Sequence, residues 1–98
     1  MNPTATNGAA EACLGLDGEL TIYRAAELKP VLLEAVRRAA EPAFDLSEVS
    51  EIDTAGVQLL LLARREAAAL DRRLRLQSPS TAVCEAFALL GLPLDLPA

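Results

Sequence analysis

The sequence predicts an α/β domain: a four- or five-stranded mixed β-sheet with three helices packed mainly on one face. An Asp17-Gly18 pair separates two short apolar runs, and this pattern is typical of an antiparallel hairpin. Apolar residues then recur at helical spacing over residues 23–38. Two more short apolar runs follow, each with a helical pattern after it, which is the order expected for parallel crossovers.

Length and composition indicate one domain. At 98 residues, with 52% hydrophobic and 3% aromatic content, the chain can build one aliphatic core. We expect residues 1–10 to be a flexible tail, because they are small and polar without a period, and residues 11–98 to be the domain. The chain has no basic-plus-apolar leader and no apolar run of the roughly 20 residues that span a bilayer. We therefore expect a cytoplasmic protein with two reduced, buried cysteines.

The formal net charge of -5 restricts the classes of partner that the chain is expected to bind. An acidic chain is repelled by phosphate backbones and anionic lipid headgroups, so we expect neither nucleic-acid binding nor direct membrane insertion. Five acids fall within residues 41–53 with no base among them: Glu41, Asp45, Glu48, Glu51 and Asp53. This run is either a solvated loop rim or a docking surface for a basic partner, and both interpretations remain open.

The first helical pattern contains Pro30. Proline costs roughly 3 kcal/mol in an ideal helix interior, so the helix either kinks there or begins near Lys29. The apolar period continues through the proline, which favours the kink. We place the third strand at residues 42–46, the second helix at 55–70, the fourth strand at 74–77, and the end of the third helix at Gly91. The leucine-rich first half of the second helix indicates a crowded core or a protein contact.

The residue inventory argues against an enzyme. Asp45 and Asp53 are the remote candidates for a carboxylate pair, because sites form where strands end. The chain has no histidine, one lysine, no Cys-x-x-Cys and no glycine-rich phosphate loop, so it offers neither a nucleophile-base pair nor a ligand set for a metal or another cofactor. Asp53 is more simply a helix N-cap.

The stretch from Phe44 to Leu62 resembles the core signature of the STAS domain, the fold of bacterial anti-sigma-factor antagonists. In that family a loop of the type Asp-Ser-Ser-Gly follows the third strand, and its second hydroxyl residue is typically phosphorylated by a partner kinase. The loop in this chain is Asp53-Thr54-Ala55-Gly56, with alanine at the second hydroxyl position. The resemblance covers about residues 13–92 and includes Gly18-Glu19-Leu20, the strand at 74–77 and the Ser78-Pro79-Ser80 turn.

The resemblance implies a non-enzymatic protein-binding module. Its partner would be a serine/threonine kinase, an anti-sigma factor or a chemotaxis-type signalling complex, and Thr54 would be the phospho-acceptor unless it is only a capping hydroxyl. We expect a monomer or weak dimer that meets the partner through Glu51, Asp53, Thr54, Ala55, Gly56, Gln58 and Leu59.

A second use of the same fold fits the loop as well. Some STAS proteins keep Asp-Thr followed by a residue without a hydroxyl, among them the small subunit of the bacterial phospholipid-asymmetry transporter. In those proteins the threonine meets an ATPase subunit of the ABC transporter and serves assembly. The pattern Thr54-Ala55 is compatible with that role.

Overall fold

Three strands and three helices alternate along residues 11–94, which are the residues that the computed structural model describes. The strands are β1 (Glu11–Leu20), β2 (Glu41–Ile52) and β3 (Arg75–Gln77), and the helices are α1 (Ile22–Arg38), α2 (Thr54–Ala69) and α3 (Thr81–Leu89). The strand order is β1-β2-β3, and both pairings are parallel. The expected tail at residues 1–10 lies outside the described residues.

The Asp17-Gly18 pair does not form a turn, so the predicted antiparallel hairpin is wrong. Residues 11–20 form one strand that pairs in parallel with β2. Gly18 has a φ of 71°, as a hairpin turn would require, but here it lies where the strand pairing is irregular. The register shifts between Gly15 and Asp17 and again between Gly18 and Glu19, and each shift leaves one extra residue on β2. Within residues 11–94 the sheet has three parallel strands, and the expected four or five strands in a mixed sheet are not confirmed.

The central strand β2 is longer than predicted. It runs from Glu41 to Ile52 rather than over residues 42–46, so most of the acidic run belongs to a strand and not to a loop. At about 3.3 Å per residue, twelve residues extend over as much as 40 Å. Glu41 and Asp53 therefore lie at opposite ends of the sheet, and the five acids do not form one continuous rim.

Helix α1 passes through Pro30 without interruption, so a helix start near Lys29 is wrong. Its buried residues are Leu28, Leu32 and Val36, whose spacing of four places them on one side of the helix. Pro30 itself is exposed. The apolar period, rather than the proline, therefore determines the extent of this helix.

The buried apolar side chains form one continuous core, and Phe44 and Phe87 are the largest of them. On α2, Leu59 and Leu60 belong to this core, whereas Leu61 and Leu62 are half-buried. A crowded core is thus the structural reason for much of the leucine-rich run. The cysteines were expected to be buried, but Cys13 and Cys84 are both free and exposed.

Helix α3 is held beside β2 by its first residues. The Ser80 amide donates to the carbonyl oxygen of Leu46 at 3.2 Å, and the Ser80 hydroxyl accepts from the Val83 amide at 3.3 Å as the N-cap. Gly91, at a φ of 67°, follows the helix as predicted, and the Leu92 amide donates back to the Phe87 carbonyl oxygen. Among residues 11–94, no helix combines the length and hydrophobicity needed to cross a membrane.

Candidate functional site

Two helices begin side by side at one edge of the sheet. Because β1 and β2 are parallel, their last residues, Leu20 and Ile52, are paired neighbours. A single residue separates each strand from the helix after it: Thr21 precedes α1 and Asp53 precedes α2. The first amides of two helices, which have no acceptor within their own helix, therefore lie close together at the predicted loop.

The carboxylate of Asp53 links these two helix starts. Its Oδ1 accepts from the Gly56 amide at 3.0 Å, and its Oδ2 accepts from the Ile22 amide at 3.0 Å. Its own amide donates to the carbonyl oxygen of Leu20 at 3.2 Å. Asp53 is therefore the N-cap of α2, as predicted. It also supplies the acceptor for α1, because Thr21 makes no side-chain cap bond.

These hydrogen bonds also set the ionisation of Asp53. The amides of Ile22 and then Gly56 stabilise the negative charge and hold the pKa of this carboxyl below its ordinary value. The group is consequently ionised at neutral pH and acts as an acceptor. Its contribution to the site is a fixed negative charge and a fixed loop shape.

Gly56 is required by the close approach of α2 to the sheet. A Cβ at this position would lie 2.1 Å from the carbonyl oxygen of Leu20 and 2.8 Å from Cγ1 of Ile52. The nearer contact is with backbone, which cannot rotate away. Gly56 is therefore buried and holds the loop in place without presenting a surface of its own.

The remaining predicted contact residues fall into two groups. Thr54, Gln58 and Glu51 are exposed, and Ala55 is half-buried. Leu59 is only 6% exposed and belongs to the core. The expected contact between Leu59 and a partner conflicts with this burial, because the helical periodicity that places Gln58 outside turns Leu59 inwards.

Two large apolar side chains that the sequence analysis did not select lie beside the loop. Ile22 is 65% exposed and Tyr23 is 90% exposed at the start of α1. A usable signal was present in the sequence, because both residues fall outside the apolar stripe of α1 and so have no place in the core. Ile22 and Tyr23 therefore join the exposed residues of the loop as candidates for a contact surface.

Asp45 does not join Asp53. It lies in the middle of β2, where it pairs with Gly15 and Gln77. The backbone amide of Ser47 donates to its Oδ1 at 2.9 Å, and this amide and the Ser47 side chain lower the pKa of Asp45. At about 3.3 Å per strand residue, at least roughly 20 Å separates the two aspartates. The remote alternative of a catalytic carboxylate pair therefore has no structural basis.

Comparison with known proteins decides the family. The family model described as "Mlab, STAS domain" matches residues 5–93. The chain belongs to the STAS family. No curated protein sequence gives a significant match.

Solved structures of other proteins share the fold. The unphosphorylated form of the anti-sigma factor antagonist SpoIIAA is 26% identical with a TM-score of 0.71, over 86% of this chain and 75% of that one. The phosphorylated form of the Bacillus cell fate determinant SpoIIAA is 24% identical with a TM-score of 0.67, over 86% and 78%. A crystal structure of Mglu is 21% identical with a TM-score of 0.61, over 72% of this chain and 18% of that one. The latter two likenesses concern the fold alone.

Proposed function

We propose that this STAS domain is a non-enzymatic regulatory module, cytoplasmic and monomeric or weakly dimeric, that binds a protein partner through the Asp53-Thr54-Ala55-Gly56 loop. One observation carries the proposal: Asp53 fixes the N-termini of α1 and α2 with two 3.0 Å hydrogen bonds, and the exposed Thr54 sits on this frame. A surface that is already rigid loses little entropy when it binds.

The chemistry of the surrounding surface suits a protein partner. Tyr23 presents an aromatic ring that is almost fully exposed, and aromatic side chains supply much of the binding energy at protein interfaces. Asp53 and Glu51 add negative charge beside it. The partner that this surface favours has an apolar contact area next to basic residues, and it is not a nucleic acid.

We further propose that phosphorylation of Thr54 switches the module. The Asp53 carboxylate already accepts the Ile22 and Gly56 amides, so a phosphate on Thr54 would stand beside this charge without replacing it. The helix dipole would favour the phosphate by about 0.3–1 kcal/mol, and the neighbouring carboxylates would oppose it by a similar amount. The fold would then stay intact while the contact surface gained about two negative charges. The likeness to an anti-sigma factor antagonist solved in its unphosphorylated form supports this proposal.

A second candidate function is that of a small subunit that binds the ATPase subunit of a phospholipid-asymmetry ABC transporter. The description of the matching family model favours it, as does the absence of a hydroxyl at Ala55. In that role Thr54 would contact the ATPase directly and would need no phosphate. The two candidates share the loop and differ in the class of partner.

Affinity capture from the native host would test both candidates. We would use the tagged parent protein and Thr54→Glu as baits, with Thr81→Glu as the matched control, because Thr81 is the exposed first residue of α3 as Thr54 is of α2. A kinase or anti-sigma factor lost from Thr54→Glu alone would support the regulatory role, and an ABC ATPase would support the second. If Thr54→Glu retains every partner of the parent, the loop is not the interface.

A further inference from the structure

A groove opens beside the loop, between the end of β2 and helix α3. It has a volume of about 350 Å³. Glu51 lines it near the end of β2, and Asp53 lines it directly after that strand. Its lining also includes Glu85 and Leu89 on α3, and Thr21 directly before α1. The groove is therefore continuous with the loop. It also extends the surface to α3, which the proposed function does not use.

The charged side chains of residues 11–94 that line the groove are all acidic. Among residues 11–94, its lining contains the carboxylates of Glu51, Asp53 and Glu85 and no basic residue. The Asp53 carboxylate is partly satisfied by two amides. Within residues 11–94, the ion pairs Arg37–Glu66 and Arg38–Glu34 do not involve Glu51 or Glu85. The groove thus attracts a cation and repels phosphate or an acidic peptide.

The lining also has an apolar contact point. Leu89 is 87% exposed, although leucine is one of the residues most often buried. It lies near the carboxyl end of α3 and forms part of the groove rim. An aliphatic side chain of a partner that covers Leu89 would remove this surface from water.

An unsatisfied hydroxyl marks the same groove independently. Thr21 is only 9% exposed, and its Oγ1 is the one buried side-chain oxygen or nitrogen within residues 11–94 without a hydrogen-bond partner. Buried polar atoms are almost always paired, and leaving one unpaired is costly. Thr21 lines the groove, so a donor that enters there reaches this hydroxyl once the side chains that cover it move aside.

We propose that this groove docks a protein segment that presents a lysine or arginine next to an aliphatic side chain. The cation lies among the carboxylates of Glu51, Asp53 and Glu85, one of its N–H groups donates to the Thr21 hydroxyl oxygen, and the aliphatic side chain covers Leu89. This inference rests on the proposed protein-binding function and specifies the chemistry of the partner. A small apolar ligand would leave the carboxylates and the hydroxyl without partners.

Selection from a displayed library of short random peptides would test the chemistry directly. The parent protein is the target, and Leu89→Lys is the counter-target, because it removes the apolar contact and adds a charge that repels a cation. Val31→Lys, which changes another exposed apolar residue away from the groove, is the matched control. We expect peptides that bind the parent and Val31→Lys, but not Leu89→Lys, to carry lysine or arginine close to an aliphatic residue. Selected peptides that are acidic or uncharged, or no selected peptide at all, would overturn the inference.

The affinity of a selected peptide, measured by fluorescence anisotropy, would then test the individual contacts. We expect Glu85→Gln and Thr21→Val each to weaken binding about tenfold, as for the loss of one charge-assisted hydrogen bond. Glu34→Gln, an exposed acid about 18 Å along α1 from Ile22, should bind like the parent. Thr21→Val should also melt no lower than the parent, because it removes a hydroxyl that has no partner. Equal affinities for all three variants would contradict the proposed contacts.

The same variants separate this inference from the function on which it rests. A native partner that is lost with Thr54→Glu but binds Leu89→Lys and Glu85→Gln like the parent refutes the groove and leaves the loop function standing. A partner that is lost with the groove variants but is retained by Thr54→Glu refutes the loop function and supports the groove.

Discussion

Gly56 and Leu20 meet through backbone atoms alone, since the Cα of the glycine faces the carbonyl oxygen that ends β1. Replacing Gly56 by alanine forces a methyl group to within 2.1 Å of that oxygen unless α2 moves. We expect Gly56→Ala to lower the free energy of unfolding by about 3 kcal/mol, the upper part of the usual range for overpacking. Urea titration followed by circular dichroism measures the change.

Gly15→Ala is the control for this prediction. Gly15 also lies at the sheet, but a Cβ there would have no neighbouring atom within 4 Å. We expect its stability to stay close to that of the parent protein. Equal losses for both variants would mean that the contact with Leu20 is not the cause.

The ionised carboxylate of Asp53 should make stability depend on pH. Its pKa is lower in the folded protein than in the unfolded chain, so its contribution is fully present above about pH 4 and is lost as the pH falls through the folded pKa. Asp53→Asn should weaken this acid dependence and should also be less stable at pH 7, because the amides of Ile22 and Gly56 use different carboxylate oxygens and the NH2 group that replaces one of them cannot accept a hydrogen bond. Urea titrations between pH 7 and pH 3 would show both effects.

The pKa of Asp45 is lowered as well, so the parent protein has two contributors to its acid dependence. Asp45→Asn should therefore remove a separate part of the acid dependence. The free energy of unfolding of the double variant, with both aspartates replaced by asparagine, should change less with pH than that of either single variant. If Asp53→Asn keeps the full acid dependence of the parent, the hydrogen bonds of Asp53 do not stabilise its charge.

Thr54 should tolerate a negative charge in the folded state. We expect Thr54→Glu and Thr54→Ala to change the free energy of unfolding by no more than about 0.5 kcal/mol, because Thr54 is exposed and its hydroxyl is not the cap of α2. Partner affinity, measured once the partner is in hand, should fall for Thr54→Glu. Unfolding of Thr54→Glu would instead make this residue structural.

Adjacent residues on α2 should respond very differently to truncation. Leu59→Ala should cost about 2–5 kcal/mol of stability, because its side chain fills part of the core. Gln58→Ala should stay within about 0.5 kcal/mol of the parent and should affect only partner binding. Thermal and urea unfolding of the two variants measures the loss of stability. If Leu59→Ala is as stable as the parent, Leu59 is not a core residue and becomes a candidate contact residue again.

The sequence predicted the helices well because their signals are local. Apolar spacing and capping residues placed the ends of α1 and α2 within one or two residues, and Asp53 was recognised as the N-cap. The β-strands were less predictable. Gly18 adopts the positive φ that a hairpin requires, yet an irregular strand pairing has the same requirement, and only the neighbouring strand distinguishes the two.

The position of the loop after β2 was predictable, but the composition of the candidate site was not. The loop sequence identified residues 53–56, whereas the roles of Gly56, Ile22 and Tyr23 depend on how α1 and α2 meet the ends of the strands. The two extra residues of β2 also interrupt its alternation, which is why the pattern after Leu46 did not indicate a strand.

Within the four-residue loop, the residues that support the fold are not the residue that is exposed. Asp53 forms the hydrogen bonds that cap the helices, and Gly56 packs closely against β1. Thr54, and Gln58 one turn further along α2, are exposed. If the loop binds a partner as proposed, substitutions at positions 54 and 58 would change the contact surface without disturbing the fold. A library randomised at those two positions would use this domain as a scaffold for engineered binders.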